Sequence, residues 1–303
     1  MRIGLVSRTI GNPETTLDDF VAEACAAERD GFAFLSVPNI FGLDALTALC
    51  VAGRETERIE LATGVIPTPP RHPVALAQQA LTAQAACRGR FVLGIGLSHK
   101  LVIEDMLGLS YRRPARQMEE YLEVLMPLVQ GQPASFEGEI YRVKAGLQVA
   151  GGVPVPVLVA ALGPRMLGIA GRLADGTATW MTGPRTLSGH TIPTLREAAK
   201  AAGRPEPRVS AGFPIAITSN PAQAREVAGK IFALYGTLPS YRAMLDREGV
   251  AGPGDIALVG SEGEVRSSLR RLSDTGVTEL AASLFPADDG ALERTREFLR
   301  SEL

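Results

Sequence analysis

Cysteine, histidine and aromatic residues are scarce in this 303-residue chain, which has three cysteines, three histidines and one tryptophan. An odd number of cysteines in alanine-rich segments argues against a disulfide framework and favours small buried side chains. No Cys-x-x-Cys, His-x-x-x-His or carboxylate cluster with ligand spacing occurs, so we predict no metal site. The lack of a disulfide framework is typical of a protein in a reducing compartment.

Clusters of charge and long apolar runs are also missing. The 31 basic and 33 acidic residues give a net charge of −2 without long runs of one sign. Nucleic acids and membrane surfaces bind clustered lysine and arginine, so we predict neither as a partner. No window approaches the apolar length of a membrane span, and the first apolar run is shorter than that of a signal peptide. The sequence therefore predicts a soluble cytoplasmic protein.

Short β-branched runs alternate with longer segments of helical periodicity along the chain. The eight predicted strands cover residues 3–7, 34–37, 59–66, 91–96, 155–161, 176–180, 209–218 and 278–284. Strands separated by helices pair in parallel, because each crossover returns the chain to the same edge of the sheet. Eight such units favour an α/β fold of the (β/α)8 TIM-barrel type over a doubly wound sheet.

The chain has no stretch with the composition of a domain linker, so we predict one domain over residues 1–303. Two stretches break the alternation, and we interpret both as insertions, at about 131–152 and 236–254. The first contains a predicted hairpin that turns at Glu137 and Gly138. The second shows no clear periodicity.

The positions where the predicted strands end are rich in glycine and small residues, with few ionisable groups. Active sites of (β/α)8 barrels lie at these ends and in the loops that follow. Neither a Gly-x-Ser-x-Gly elbow nor a Walker pattern occurs, and residues 94–99 form only a broken dinucleotide fingerprint. Because a cofactor can supply the chemistry of hydride transfer, this composition favours a cofactor-dependent oxidoreductase.

Two strand-to-helix loops have features of phosphate sites. Gly163-Pro-Arg165 follows the fifth predicted strand, and Thr182-Gly-Pro-Arg185 follows the sixth. Free backbone N–H groups at a helix start attract anions, and an arginine adds a fork of donors. Glycine and proline also occur in ordinary turns at such positions, so the residues alone leave both interpretations open.

A few side chains at strand ends could take part in acid–base chemistry. His99 ends the fourth strand, where it suits either proton transfer or a structural hydrogen bond. Ser98 and Asn39 are further candidates for orienting or protonating a substrate, and Ser7 is another of the same sort. Trp180 could stack on a ligand or pack in the barrel wall.

Five short motifs between residues 62 and 184 form a specific combination, although each of them alone is common. They are ATGV at 62–65, RHPVALAQQ at 71–79, GRFVLGIG at 89–96, ALGPR at 161–165 and ADGTATWMTGP at 174–184. Their combination resembles the luciferase-like monooxygenase superfamily. Within it, the resemblance is to the deazaflavin (coenzyme F420)-dependent oxidoreductases.

This resemblance implies a barrel with a deazaflavin in its mouth, the ring lying over a bulge in the third strand. Relatives have a non-prolyl cis peptide in that bulge, and Gly64 and Val65 occupy the matching positions. The two loops that contain glycine and proline would hold the cofactor phosphate. The residues expected to contact the cofactor are Gly64, Val65, Gly96, Ala161, Gly163, Arg165, Thr182 and Gly183. A homodimer is expected by analogy with relatives.

The chain also departs from the relatives at two places. It has Pro38-Asn-Ile40 where many carry an aspartate or histidine, and the Trp, His and Glu set of the sugar-phosphate dehydrogenases is not recognisable. We therefore predict hydride transfer between C5 of the deazaflavin and another small organic substrate. The alternative on this scaffold is an FMN-dependent monooxygenase that receives reduced flavin from a partner reductase. A hypothesis from a different functional class is an isomerase, or a barrel that binds a ligand without turnover.

Overall fold

Eight parallel strands form a closed ring in the computed structural model, which describes residues 1–10, 12–152 and 154–303. The strands are Arg2–Val6, Phe34–Val37, Glu60–Thr63, Phe91–Gly96, Val157–Val159, Gly176–Trp180, Arg208–Ile217 and Glu279–Leu284. We refer to them as the first to the eighth strand. All eight predicted strands are present, although the fifth is shorter than predicted and the third is interrupted after Thr63.

The pairing of the strands shows that the sheet closes on itself. The first strand pairs with the eighth, with Arg2 opposite Glu279, and the sixth pairs with the seventh, with Gly176 opposite Arg208. The seventh strand pairs in turn with the eighth. A doubly wound sheet would keep two free edges, so this closure confirms the predicted (β/α)8 barrel.

Helices follow the strands in the predicted alternation. The main helices are Leu17–Arg29, Ala45–Glu55, Pro73–Ala86, Pro114–Val129, Pro164–Leu173, Ile192–Ala201, Pro221–Ile231, Glu262–Asp274 and Ala291–Ser301. Shorter helical segments are Leu101–Met106, Pro184–Thr186, Leu187–Thr191, Ala233–Thr237, Pro239–Glu248 and Pro253–Ile256. Several helix starts are encoded locally: Thr16 and Asp19 form a capping box, as do Ser261 and Glu264.

Large apolar side chains from strands and helices meet in one core. Phe91 and Phe213 contribute from the strands, and Phe20 and Leu76 from the helices, all of them fully buried. Burying a side chain of this size stabilises the fold by about 1.5–3 kcal/mol. The core therefore fixes the strands, and with them the positions of the loops at their carboxyl ends.

The first predicted insertion is a hairpin, with Ala134–Glu137 antiparallel to Arg142–Ala145. Glu120, which is buried, accepts hydrogen bonds of 2.8–3.1 Å from the backbone N–H groups of residues 139–141. Burial opposes ionisation of Glu120, but these N–H groups and Arg116 hold the pKa of its carboxyl below the usual value. The ionised carboxylate thus attaches the hairpin to the barrel.

The second predicted insertion contains regular structure where we expected none. The helix Pro239–Glu248 lies entirely within it, and the helix Ala233–Thr237 ends within it, after the seventh strand. A short strand that we did not predict, Leu258–Gly260, pairs with the seventh strand, with Ile215 opposite Leu258. Three residues are too few to show the alternation that identifies a strand in a sequence.

Candidate active site

A bulge interrupts the third strand at the carboxyl end of the barrel. Ala62 lies opposite Val92 on the fourth strand, and the next pair is Ile66 with Ile95. The third strand therefore carries one extra residue over this interval. Gly64–Val65 lies within the bulge, and its peptide bond is cis, as the resemblance implies.

Val65 lies in a space that two glycines of the fourth strand leave open. A Cβ atom on Gly94 would lie 3.1 Å from Cγ1 of Val65, and one on Gly96 would lie 2.8 Å from its Cγ2. Gly64 is exposed and Val65 partly exposed, whereas Gly96 is buried. The bulge thus presents flat backbone and one branched apolar side chain to the mouth, and Gly96 shapes this surface from beneath.

The loop after the fifth strand has an open helix start. Gly163 is the N-cap of helix Pro164–Leu173, and no described side chain bonds to the first-turn N–H groups as a cap. A Cβ atom on Gly163 would meet nothing within 4 Å, and Arg165 is exposed beside it. These N–H groups and the guanidinium could together bind an anion.

A buried histidine holds the same loop in place. His190 lies in the helical turn Leu187–Thr191, and its Nε2 is 3.0 Å from the carbonyl oxygen of Leu162. Ala161, which we predicted to contact the cofactor, is buried at 1% exposure. The structure therefore places Gly163 and Arg165 at the surface of the loop and Ala161 beneath it.

The loop after the sixth strand is closed by a carboxylate of the chain itself. Glu248 accepts hydrogen bonds from the backbone N–H groups of Arg185 at 3.1 Å and Thr186 at 2.7 Å, and from the Thr186 hydroxyl at 2.7 Å. Thr182 and Gly183 are buried beneath this contact. The predicted phosphate position at this helix start is occupied by the carboxylate of Glu248, which lies 62 residues from Thr186 along the chain.

Replacing Glu248 with alanine is expected to lower the free energy of unfolding by about 1–3 kcal/mol, because two N–H groups and a hydroxyl lose their acceptor. Amide hydrogen exchange at Arg185 and Thr186 should accelerate, and denaturant unfolding measures the loss of stability. Glu226, an exposed glutamate, provides the matched control, and its replacement by alanine should change neither quantity. Unchanged exchange at both amides in the Glu248 variant would contradict the contact.

The loop after the fourth strand presents His99 to the mouth. Ser98 has a positive φ of 59°, and its carbonyl oxygen accepts a hydrogen bond of 3.1 Å from the hydroxyl of Tyr111. The His99 carbonyl oxygen accepts the N–H groups of Val102 and Ile103, both at 2.9 Å, which fixes the start of the following turn. Burial lowers the pKa of the His99 imidazole, so the ring is neutral at pH 7.

The other predicted polar candidates form structural hydrogen bonds. The side-chain oxygen of Asn39 accepts the N–H of Ala45 at 3.1 Å, at the start of a helix. The Ser7 hydroxyl donates to a carboxylate oxygen of Glu23 at 2.6 Å. These contacts hold each loop to its own helix, whereas the half-buried His99 side chain lies against the ring of Tyr241.

A row of aromatic rings crosses the mouth, and the sequence did not reveal it. In order, the rings are His99, Tyr241, Tyr235, Trp180, Phe232 and Phe285, with neighbouring centroids 4.9–6.3 Å apart. Tyr241 lies in the helix Pro239–Glu248, within the insertion for which we predicted no regular structure. The only signal in the sequence for the tyrosines of this row was their local density, since Tyr235 and Tyr241 are two of the five tyrosines and lie close together in the chain.

The described residues contain no group of three or more histidine, cysteine, aspartate or glutamate side chains placed to hold a metal ion. The three cysteines are free, and burial raises the pKa of the Cys87 thiol to about 12. Surface grooves beside the helices Pro114–Val129 and Glu262–Asp274 contain none of the strand-end residues. No helix in the described ranges is long and apolar enough to cross a membrane.

Residues 1–279 match the family model of luciferase-like monooxygenases. The chain belongs to this family. Its sequence is 27% identical to an uncharacterized protein of Mycobacterium tuberculosis over 276 residues, which cover 86% of this chain and 77% of that protein. It is 34% identical to an F420-dependent glucose-6-phosphate dehydrogenase of Nakamurella multipartita over 166 residues, which cover 53% of this chain and 49% of the relative.

Among solved structures, the coenzyme F420-dependent tetrahydromethanopterin reductase of Methanopyrus kandleri superposes with a TM-score of 0.83 at 21% identity. The superposition covers 100% of this chain and 98% of the reductase, which supports the fold. Together these findings confirm the resemblance stated from the five motifs and identify the chain as an enzyme of the luciferase-like family.

Proposed function

We propose that this enzyme binds coenzyme F420 and transfers a hydride between C5 of the deazaflavin ring and a small organic substrate. The observation that carries this proposal is the combination of an exposed bulge on the third strand with an open helix start after the fifth. Both strands pair with the fourth strand between them. A ligand with a flat ring and a phosphate arm could therefore occupy both places at once.

The residues at both places fit such a ligand. The exposed backbone of Gly64 allows close approach of a ring, and Val65 would contact its face. The N–H groups at the start of the helix after Gly163 and the guanidinium of Arg165 would bind the phosphate. The loop containing Thr182 and Gly183 would contribute to binding the phosphate only after Glu248 had moved away.

A bound reduced deazaflavin supplies the hydride, so the protein needs neither a nucleophile nor a metal for this step. The task of the chain is to hold the ring and the substrate at the correct distance and to limit the access of water. The aromatic rings that cross the mouth suit the second task. Relatives named for F420 favour the deazaflavin over FMN, which would need the same two places.

Replacing Arg165 with alanine is expected to weaken F420 binding about 10-fold, because the phosphate loses one charge-assisted hydrogen bond. Arg185 is the matched control: it follows a Gly-Pro pair at a helix start in the same way, but Glu248 closes its loop. Its replacement by alanine should leave the affinity almost unchanged. Titration of each variant with F420, followed by quenching of fluorescence, measures both effects.

The same titration of the unaltered protein with FMN and NAD(P)H tests the alternatives. Tight binding of FMN without binding of F420 would replace the proposed function by that of a flavin monooxygenase. Binding of none of the three would favour a barrel without this redox chemistry. Equal losses in the Arg165 and Arg185 variants would place the phosphate in the loop after the sixth strand instead.

A further inference from the structure

Two polar groups at the mouth form no side-chain hydrogen bond with the described residues: the imidazole of His99 and the hydroxyl of Tyr241. Their ring centroids lie 5.9 Å apart, although the residues come from the loop after the fourth strand and the insertion after the seventh. His99 follows Gly96 by three residues, and Gly96 underlies Val65 on the bulge. The two groups therefore lie at the same end of the barrel as the place proposed for the ring, and His99 is three residues from the glycine that underlies it.

The surroundings of this pair are aromatic and apolar. Tyr241 contacts Tyr235 with ring centroids 4.9 Å apart, and the row continues through Trp180 to Phe285. Several large apolar side chains on loops at the carboxyl ends of the second and fourth strands are exposed, namely Ile40, Phe41, Leu101, Met106 and Leu107. Substrate pockets commonly combine such apolar walls with a few polar groups that fix orientation.

The cations that follow His99 and Tyr241 in the sequence, Lys100 and Arg242, are each paired with a carboxylate of the chain. Lys100, which follows His99, pairs with Glu104 at 3.5 Å on the same turn. A carboxylate or phosphate on a substrate would therefore be desolvated against aromatic rings while the cation next to His99 is already paired, which is costly. An uncharged oxygen needs only a hydrogen-bond donor or two, and His99 and Tyr241 provide these.

Resting on the proposed function, we propose that His99 and Tyr241 together bind the reacting oxygen of an uncharged carbonyl compound with an apolar body, and supply its proton. The carbonyl π bond breaks as a C–H bond and an O–H bond form. The hydride comes from the reduced deazaflavin, which is oxidised, and the proton comes from the pair, which solvent reprotonates. The product is the corresponding alcohol, and the reverse reaction oxidises that alcohol.

Burial affects the two groups in complementary ways. It raises the pKa of the Tyr241 phenol, so the hydroxyl keeps its proton and remains a donor throughout the neutral range. It lowers the pKa of the His99 imidazole, so the neutral ring has one N–H donor and one acceptor nitrogen. This combination can donate to a carbonyl oxygen in one direction and accept from an alcohol in the other.

The first test uses the protein without cofactor and therefore judges the pair independently of F420. Protein with labelled histidines has three imidazole signals, and replacing His99 with glutamine identifies one of them. Acetone, cyclohexanone and acetophenone are each compared with the acid of matched shape: acetate, cyclohexanecarboxylate and benzoate. At least one ketone should shift the His99 signal, and its acid should not. Tyr241→Phe should weaken that binding roughly 10-fold.

The second test measures turnover with reduced F420. Tyr241→Phe should lower kcat for the bound ketone roughly 10- to 100-fold, since the developing alkoxide loses a donor. Tyr121→Phe is the matched control, because Tyr121 is also a buried tyrosine but contacts Tyr141 and none of the rings at the mouth. That control should reduce the ketone at the rate of the unaltered protein.

The outcomes separate this inference from the proposed function. Failure of F420 to quench fluorescence in the unaltered protein would overturn the proposed function, and with it the redox role of the pair. A His99 signal that none of the three ketones moves, or an acid that binds as tightly as its ketone, would overturn the inference alone. Reduction of the ketone by the Tyr241→Phe variant at the rate of the unaltered protein would also overturn the inference.

Discussion

Replacing Gly163 with aspartate is expected to weaken F420 binding about 100-fold while the barrel stays folded. Gly163 has φ −79° and ψ 156°, an extended conformation that aspartate adopts without strain, and a Cβ atom would meet nothing there. The new carboxylate would accept the first-turn N–H groups, as Glu248 does in the neighbouring loop, and would repel a phosphate. Two lost charge-assisted hydrogen bonds of about 1.5 kcal/mol each give about 3 kcal/mol.

Fluorescence titration measures the loss of affinity, and thermal unfolding checks the fold. Aspartate is a favourable N-cap residue, so the Tm of the Gly163 variant should equal or slightly exceed that of the unaltered protein. Asparagine at the same position caps the helix without charge and should weaken binding less than aspartate does. A deazaflavin core without the phosphate arm should bind the aspartate variant and the unaltered protein equally. Unaltered F420 affinity in the aspartate variant would place the phosphate elsewhere.

The barrel and its bulge could be predicted because their signals are local. Alternation of short strands with helices gives the order of the elements, and eight repeats with no linker point to closure. The motif at residues 62–65 identifies the bulge, and the structure shows the break at that place. The glycines at 94 and 96 have a physical reason that the sequence hides: a Cβ atom on Gly94 would collide with the backbone carbonyl of Thr63, and one on Gly96 with the side chain of Val65.

The contacts that decide what each loop does were not predictable, because they join residues far apart in the chain. Thr182-Gly-Pro-Arg185 and Gly163-Pro-Arg165 look alike as sequences, yet among the residues that the structure describes a carboxylate closes only the first. Nothing in the sequence connects Glu248 with that loop, since their separation of more than 60 residues leaves no pattern. Tyr241 was missed for a related reason: its short helix lies in a segment without extended periodicity.

The amino end of the barrel, opposite the candidate active site, carries a network of charged side chains. Arg208 begins the seventh strand, and its guanidinium donates to the carboxylates of Glu279 at 2.8 Å and Glu60 at 2.7 Å. Arg2 adds a contact of 3.0 Å to Glu279. Residues at the amino ends of barrel strands generally serve stability, whereas those at the carboxyl ends serve function. Changes to this network should therefore affect folding and leave ligand binding intact.

Replacing Arg208 with methionine is expected to lower the free energy of unfolding by about 3 kcal/mol, because the Glu279 carboxylate, 4% exposed, loses its main partner. Arg204 is the matched control: its side chain is also 25% exposed, but its partner Asp175 is 36% exposed. Its replacement by methionine should cost less than about 1 kcal/mol, since water can solvate the remaining charge.

Denaturant unfolding measures both losses, and F420 titration of the folded variants should give the affinity of the unaltered protein, because the network lies at the far end of the strands. Replacing Glu279 with glutamine in the Arg208 variant removes a buried charge that keeps only Arg2 as a partner and should restore part of the lost stability. Equal losses for Arg208 and Arg204 would show that exposure of the partner carboxylate does not set the cost. A large change in F420 affinity would show that the two ends of the barrel are coupled.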